Sequence, residues 1–569
     1  MSKSRVRELV TQGDKLFSKR APLLSLWQTM AENFYPYRAD FTTKRAIGDE
    51  FASHLMTGRP VLAHRDLGNS LSSMLRPRGQ AWFHARTGDE DINNDATAKQ
   101  WLDAKSDVMR RAMYDQRSQF IRATKQGDND FVAFGQTVIS VDPNKYLDGI
   151  LYRNWHLKDV AWCESAELTI DTVHRNWELE ARQLAKLFPK EVSAGLKRMM
   201  KDEPYREVKC RHIIIPEDEY DLSVEKKGRR NRLPFTSIYI DIENDKILEE
   251  VPVKRSNYVI PRWVTVAGSQ YAYSPSSVVA LPDARLIQQI TLTMLEAGQK
   301  AVDPPLKATA EAVVGGVNMF AGGITWVDAQ YDERAGAALE RLMDSPGDLS
   351  WGEHVEERIE KMITEAFFLN VINLPEAQAG GDKMTAYETQ ERVKEYIRRA
   401  LPLFEPMEVE YNGGLCEQTW NVAMDLGMFG SFEDMPEILR GHEISWQFES
   451  PLQEANSRVK SVAFQETAQL LSMAAQLDPG VRFDVDVDTA FRDAMAGIAP
   501  AKWIVPEEVA NSRKAQQQQI DRAAQAAQAM GVGADVATRV GGAVQSMGDA
   551  AQSVTAARAG IEAGAEAAA

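Results

Sequence analysis

Eight histidines and three cysteines are the side chains best suited to metal binding or nucleophilic attack, and none stands at a working spacing. His54, His64, His84, His156, His174, His212, His354 and His442 are scattered, with no two at ligand separation. Zinc sites need such clusters, so each histidine reads as structural. Cys163, Cys210 and Cys416 lie far apart without a CxxC pair, which speaks against a disulfide framework and for a reducing assembly compartment. "HEISW" from His442 starts like a zinc-protease helix but has Trp446 where the second histidine must stand. "GNSLS" from Gly68 resembles a nucleophile elbow, yet Ser72 replaces the closing glycine and the stretch lies inside a helical pattern. "DVDVD", Asp484–Asp488, resembles the start of a calcium loop, but Thr489 and Met495 stand where glycine and a carboxylate are required. Gly-Lys never occurs, which removes the Walker-type phosphate loop and with it a nucleotide-driven motor. No catalytic, cofactor or metal site is expected.

The charge balance narrows the remaining binding functions. Against 66 Lys and Arg stand 82 Asp and Glu, a net charge of −16. Coating nucleic acid by neutralising its phosphates needs a basic surface, which this chain lacks. The balance does not exclude letting DNA pass without gripping it. The one dense basic run, "EKKGRRNR" at Glu225–Arg232, lies between two alternating stretches and reads as a solvated hairpin turn. No apolar run reaches membrane-spanning length; the nearest, Ala312–Val327, is short and glycine-rich and reads as strands and turns. The N-terminus lacks the apolar core of a signal peptide. A chain of 569 residues with 44% hydrophobic and 26% charged residues is ordinary globular material, enough for a few domains.

The elements follow from periodicity. Leu24, Trp27, Met30, Ala31 and Phe34 share one face of a first helix that stops at Pro36, and Leu67, Leu71, Met74 and Leu75 form the stripe of a second. Two more helices are expected around 98–113 and 118–133. From Phe134 the period becomes two, and strands are expected through to about residue 267, interrupted by one helix near Leu184–Met200. A helix opening near Pro282 is apolar almost all round, at Leu286, Ile287, Ile290, Leu292, Met294 and Leu295, so it must be buried among neighbours, including other subunits. After it comes an excursion, 303–348, of short strands, glycine turns and a small helix, "ERAGAALERLM". A charged helix follows, with Ser350 and Glu353 as its capping box and Val355, Ile359, Met362, Ile363 and Ala366 as its stripe. The loop "NLPEAQAGGDK" at Asn373–Lys383 separates it from another helix capped by Thr385 and Glu388 and kinked or broken at Pro402 and Pro406. Beyond Glu449 the pattern is helical again. From about Glu507 the Ala-, Gln- and Gly-rich tail is either disordered or a helix held only by copies of itself.

The order of these parts resembles the core of a tailed-phage portal protein, and more closely the head-to-tail connecting proteins of short-tailed phages. The stretches that carry the resemblance are "ENFYPYR", "LGNSLSSMLRPRGQAWF", "FGQTVISV", "HLKDVAWCE", "LTIDTVHR", "YAYSPSSVVALPDARLIQQ", "GGITWVD", "KMTAYETQERV" and "SPLQEANSR", in family order from about residue 20 to 515. Tyr387 departs from the smaller residue the family often has there.

The resemblance implies an α+β, mainly α subunit that assembles as a ring. Its wing would span 1–281 (helical shell plus β-rich body), its first stem helix 282–302, its clip 303–348 and its second stem helix 349–369. A tunnel loop at 370–384, a kinked wing helix at 385–429, a crown at 430–506 and a barrel helix or disordered tail at 507–569 would complete it. Stem packing would fall to Leu286, Ile290, Met294, Val355, Ile359, Met362 and Ile363. Asn373, Gln378, Gly380, Gly381 and Lys383 would face double-stranded DNA in the channel. The twin glycines permit motion there, Pro375 shapes the exit from the helix, and Lys383 offers one cation to a phosphate. Implied partners are copies of itself, twelvefold by this resemblance, the terminase large subunit, tail adaptor and tail proteins, and capsid and scaffolding proteins. Neither cofactor nor membrane is implied. The expected place is the portal vertex of the virion, and the host cytoplasm during assembly. Rival readings are another helical virion component, such as a tail or internal core protein, and a hydrolase or nuclease with a non-standard site.

Overall fold

A computed structural model describes residues 3–302, 349–372 and 407–448, apart from 47, 51, 190–191 and 221–232. Between 303 and 348 it describes only four short strands and Arg334, and beyond 448 only short helical stretches between 464 and 520. The chain divides into two units, Met1–Asn456 and Ser457–Ala569. In the second, the described residues are helical, and the rings of Phe464 and Phe491 meet at 5.7 Å.

Helix α1 (Lys3–Phe34) has apolar residues on two successive faces. Near its start Val6 and Leu9 are buried with Ile213, Ile215, Ile238 and Ile240; near its end Trp27, Met30, Ala31 and Phe34 enter the main core, with Leu24 only partly buried. One helix therefore fastens a sheet to a helical body. Gly13 permits the close approach, since a Cβ there would lie 2.6 Å from His174 Nδ1. Arg20, buried in the same helix, donates to the carbonyls of Leu157, Lys158 and Val160.

The helical body continues with α2 (Arg59–Leu75), a strand β1 (Phe83–Thr87), and helices α3 (Glu90–Asn94), α4 (Ala96–Met113) and α5 (Phe120–Phe134). Leu67, Leu71 and Leu75 are buried as their stripe requires, with Met74 partly buried beside them. Asp89 and Asp95 cap α3 and α4 by accepting from the amides of Asp91 and Ala98. Helix α5 ends at Gly135, at φ +74°, where a Cβ would stand 2.2 Å from the Tyr273 carbonyl carbon. Only glycine fits both conditions.

Strands β2 (Val138–Pro143), β3 (Ile150–Trp155), β4 (Val160–Glu164) and β5 (Ile170–Glu180) follow, then helices α6 (Ala181–Leu187) and α7 (Ala194–Asp202). The single helix expected near 184–200 is thus two. Pro189 lies between them, and neither its ring nor its missing N–H suits a helix interior. Strand β6 (Glu207–Pro216), the short helix α8 (Glu217–Tyr220), and strands β7 (Phe235–Asp241), β8 (Lys246–Val253) and β9 (Tyr258–Val259) complete the β-rich part. One antiparallel sheet has the order β4-β5-β6-β7-β8 and another the order β3-β2-β9. β6 and β7 pair antiparallel on either side of Glu225–Arg232, which itself lies outside the described residues.

Helix α9 (Pro275–Val302) begins seven residues before Pro282, which it holds within it. The first turns are fixed by Ser274 and Ser277, whose hydroxyls donate to the Val132 carbonyl at 2.6 and 3.0 Å. Four short strands follow: β10 (Leu306–Ala308), β11 (Val313–Val314), β12 (Trp326–Val327) and β13 (Leu339–Arg341), paired β10-β13 and β11-β12. The small helix expected across "ERAGAALERLM" is therefore a strand over Leu339–Arg341; pairing with β10 overrides the helix propensity of Ala and Glu. Helices α10 (Leu349–Ala366) and α11 (Leu369–Ile372) come next. Since α10 already begins at Leu349, Ser350 stands in its first turn rather than before it.

At Met407 the described chain resumes with seven residues of π-type helix, Met407–Gly413, leading into α12 (Gly414–Asp425). The final described strand of this unit, β14 (Ile444–Phe448), returns to pair with β1, Phe83 opposite Phe448. Around that pair a second core forms from Trp82, Phe83, Leu102, Met109, Leu415, Cys416 and Leu439, among others.

Candidate functional site

Helices α9 and α10 form an antiparallel pair. Thr291 Oγ1 donates to Glu356 Oε1 at 2.6 Å, and a Cβ at Gly352 would meet Met294 Sδ at 2.0 Å, so the partner number falls as the position rises. Gly352 is what lets Met294 lie across α10. At the root of the pair, Ala280, Ala284 and Ile287 are buried with Ile359, Ile363 and Phe367 in the main core, and the Phe367 ring meets Phe34 at 5.3 Å. Gln288 ties the root to the chain before α2, accepting from the amides of Met56 and Thr57 at 2.5 and 2.9 Å and donating to the Thr57 carbonyl. Arg59 and Glu360 add an ion pair at 3.7 Å.

Further along, the pair leaves the core. Ile290 and Val355 are the last partly buried residues packed on it, and none of residues 291–302 is buried. At 1.5 Å per residue those twelve positions give a stalk of about 18 Å. The surface of the pair, root and stalk together, is not what water prefers. Leu286 is 48% exposed, Leu295 53%, Met362 42% and Trp351 66%. The sequence-derived stem residues thus divide within one chain: Ile359 and Ile363 are buried, Ile290, Val355 and Met294 are intermediate, and Leu286 and Met362 are exposed. The short strand pairs lie in the segment between the two helices. Asn373, Gln378, Gly380, Gly381 and Lys383 lie outside the described residues, as do Thr385, Glu388, Pro402 and Pro406.

A polar network that sequence reasoning missed fixes the chain around Met407–Gly413. Arg76 and Asp128 form a fully buried pair, Arg76 Nη1 donates to Asn412 Oδ1 at 2.9 Å, and Asn412 Nδ2 donates to the Leu75 carbonyl at 3.3 Å. The Arg76 guanidinium also sits 4.8 Å over the Tyr411 ring. Burial alone would lower the pKa of Arg76; Asp128 beside it reverses that and raises it, so the side chain stays charged. Asp130, also buried, holds Arg38 through two hydrogen bonds and accepts from Asn154. Among the described residues no group of three or more His, Cys, Asp or Glu could hold a metal ion, the three cysteines are free, and no helix is long and apolar enough to cross a membrane. What the described residues present at this pair is exposed apolar surface.

Comparison with known proteins agrees with that geometry. A profile described as "Bacteriophage head to tail connecting protein" matches residues 7–504. The probable portal protein of Bordetella phage BPP-1 is 25% identical over 542 residues, 94% of this chain and 95% of that one. The portal protein of Salmonella phage epsilon15 is 22% identical over 543 residues, 94% of each. Two solved chains, from the virion of a native gene transfer agent particle and from the neck of an empty one, cover 74% and 70% of this chain and 86% and 84% of their own. Each has a TM-score of 0.31, at 10% and 11% identity, a likeness too loose to support a conclusion. On the profile match, which spans most of its length, the chain belongs to the bacteriophage head to tail connecting protein family, as a structural virion component and not an enzyme.

Proposed function

We propose that this chain is a portal subunit that closes into a ring at one vertex of a phage head. In this reading the ring nucleates head assembly, docks the terminase that supplies ATP hydrolysis, conducts double-stranded DNA and then anchors the tail. The observation that carries it is the α9–α10 stalk, rooted in the core yet exposing Leu286, Leu295, Trp351 and Met362 to solvent. Exposed large apolar side chains on more than one face of a helix pair are what contacts with neighbours on either side would cover. In a ring, neighbouring stalks would cover each other and the strand-bearing segment 303–348 would form the clip presented to the motor and tail adaptor. The loop Asn373–Lys383 would project into the channel, with Lys383 as its single cation.

Native mass spectrometry of the purified chain tests the assembly. Rings, mainly of twelve copies, are expected; a monodisperse monomer at micromolar concentration would overturn the reading. Replacing Asp303–Asp348 by a short glycine-containing turn should leave rings intact and abolish terminase and tail-adaptor binding. If the shortened ring still bound both, that segment would not be the clip.

A further inference from the structure

A cleft of about 410 Å³ lies away from the stalk, between the C-terminal end of α2 with the loop beyond it and the first turns of α5. In a chain of net charge −16 its lining contains Arg76, Arg78 and Lys125 and no Asp or Glu. Arg76 forms part of the wall and is already neutralised by Asp128, although its Nε is buried without a hydrogen-bond partner. Arg78 and Lys125 differ from it. Both are exposed, they come from separate elements, and neither has an acidic partner among the described residues. Two cations brought to one cleft without a counter-charge repel each other, and an anion between them removes that cost. Tyr114, partly exposed in the lining and braced edge-on by the buried Phe120 ring at 5.4 Å, adds an aromatic surface beside the charges.

We propose that this cleft binds a phosphate group carried on a planar organic body, as in a nucleotide, with Arg78 and Lys125 holding the phosphate and the Tyr114 side taking the body. A cleft of about 410 Å³ is within the size range of small-molecule sites, which favours a single nucleotide unit over a double helix. The phosphate can come from a free mononucleotide or from the end of a nucleic-acid strand; the chemistry of recognition is shared.

Isothermal titration of the full chain at fixed 0.15 M salt tests this, with deoxyadenosine monophosphate, deoxyadenosine, inorganic phosphate and a 5′-phosphorylated single-stranded oligonucleotide as probes. The monophosphate should bind at least tenfold more tightly than the nucleoside. The double variant Arg78→Glu with Lys125→Glu should weaken it at least tenfold while circular dichroism and melting stay unchanged. The milder Arg78→Gln with Lys125→Gln should fall between. Tighter binding of the oligonucleotide than of the monophosphate would assign the site to strand ends, and equal binding to free nucleotides. No heat with the monophosphate at millimolar concentration, equal affinity for the nucleoside, or an unchanged affinity in the double variant would each overturn the proposal. None of these readouts depends on ring formation, so the test stands apart from that of the portal reading.

Discussion

Arg76 and Asp128 show what a sequence withholds at the scale of the residue. They lie 52 positions apart, and each taken alone reads as a solvated surface charge; only the fold makes them a buried pair. No period or motif announces such a pair, because its partners are chosen by tertiary packing. By contrast, the three cysteines lie far apart in the sequence and are free in the structure. The pair carries a prediction about stability. Arg76→Ala would leave a carboxylate buried without its counter-charge and strand Asn412 Oδ1, which costs about 3–5 kcal/mol. The double change Arg76→Met with Asp128→Leu removes both charges and should recover most of that loss, because a buried ion pair adds little net stability over well-packed apolar groups. Urea unfolding at one protein concentration would measure both. A double variant no more stable than the single one would mean that the charges, and not merely their matching, hold the π-type turn at Met407–Gly413.

Among the elements, helices with a clear stripe and strands with a clear alternation were legible, and the misses have local causes. Pro189 divided a helix that periodicity had joined, and β13 took a strand form against its helical composition because β10 was there to pair with it. The pairing of β1 with β14 joins residues more than 350 positions apart and has no signature in either segment. Helix α9 was expected to be buried among neighbours, and in the single chain it leaves Leu286 and Leu295 exposed. Leu286 is the residue that tests this. At 48% exposure in the single subunit, Leu286→Glu keeps a good helix former at a half-open position and should change subunit stability by only about 0.5 kcal/mol. If neighbouring stalks pack there, each ring would contain one such charge per subunit at an apolar contact. Circular dichroism should therefore remain that of the wild type while native mass spectrometry shows monomers or incomplete rings. Intact rings from this variant would place the contact on another face of α9, such as that of Leu295.

For the molecule as a whole, the family was legible from the ordered motifs, while the balance of burial and charge emerges only from the fold. Two histidines show how that balance sets the response to acid. Burial pushes His64 down to about 4, against the smaller opposing effect of its hydrogen bond to the Asn129 carbonyl, and pushes His174 down to about 3 with help from Arg211. Both are therefore neutral in the folded chain at pH 5, whereas the unfolded chain protonates them below about 6.5. The unfolded state then binds more protons, so folding stability falls as pH drops from 6.5 towards those lower values, by about 1.4 kcal/mol per pH unit for each histidine. Asp40 acts at lower pH. Burial opposes its ionisation, but His156 and Lys158 hold its carboxyl well below the usual range, so its contribution is present above about pH 4 and is lost beneath it. Melting of the full chain at pH 7.5, 6.5, 5.5 and 4.5, at fixed salt and protein concentration because assembly shifts apparent stability, should show a flat upper range and a steady decline below 6.5. His64→Gln can keep a donor to the Asn129 carbonyl without a titrating ring, so it should reduce the slope of that decline while leaving the upper range nearly level. A variant slope equal to that of the wild type would show that His64 is not protonated preferentially in the unfolded chain, and would leave the decline to His174 and the carboxylates.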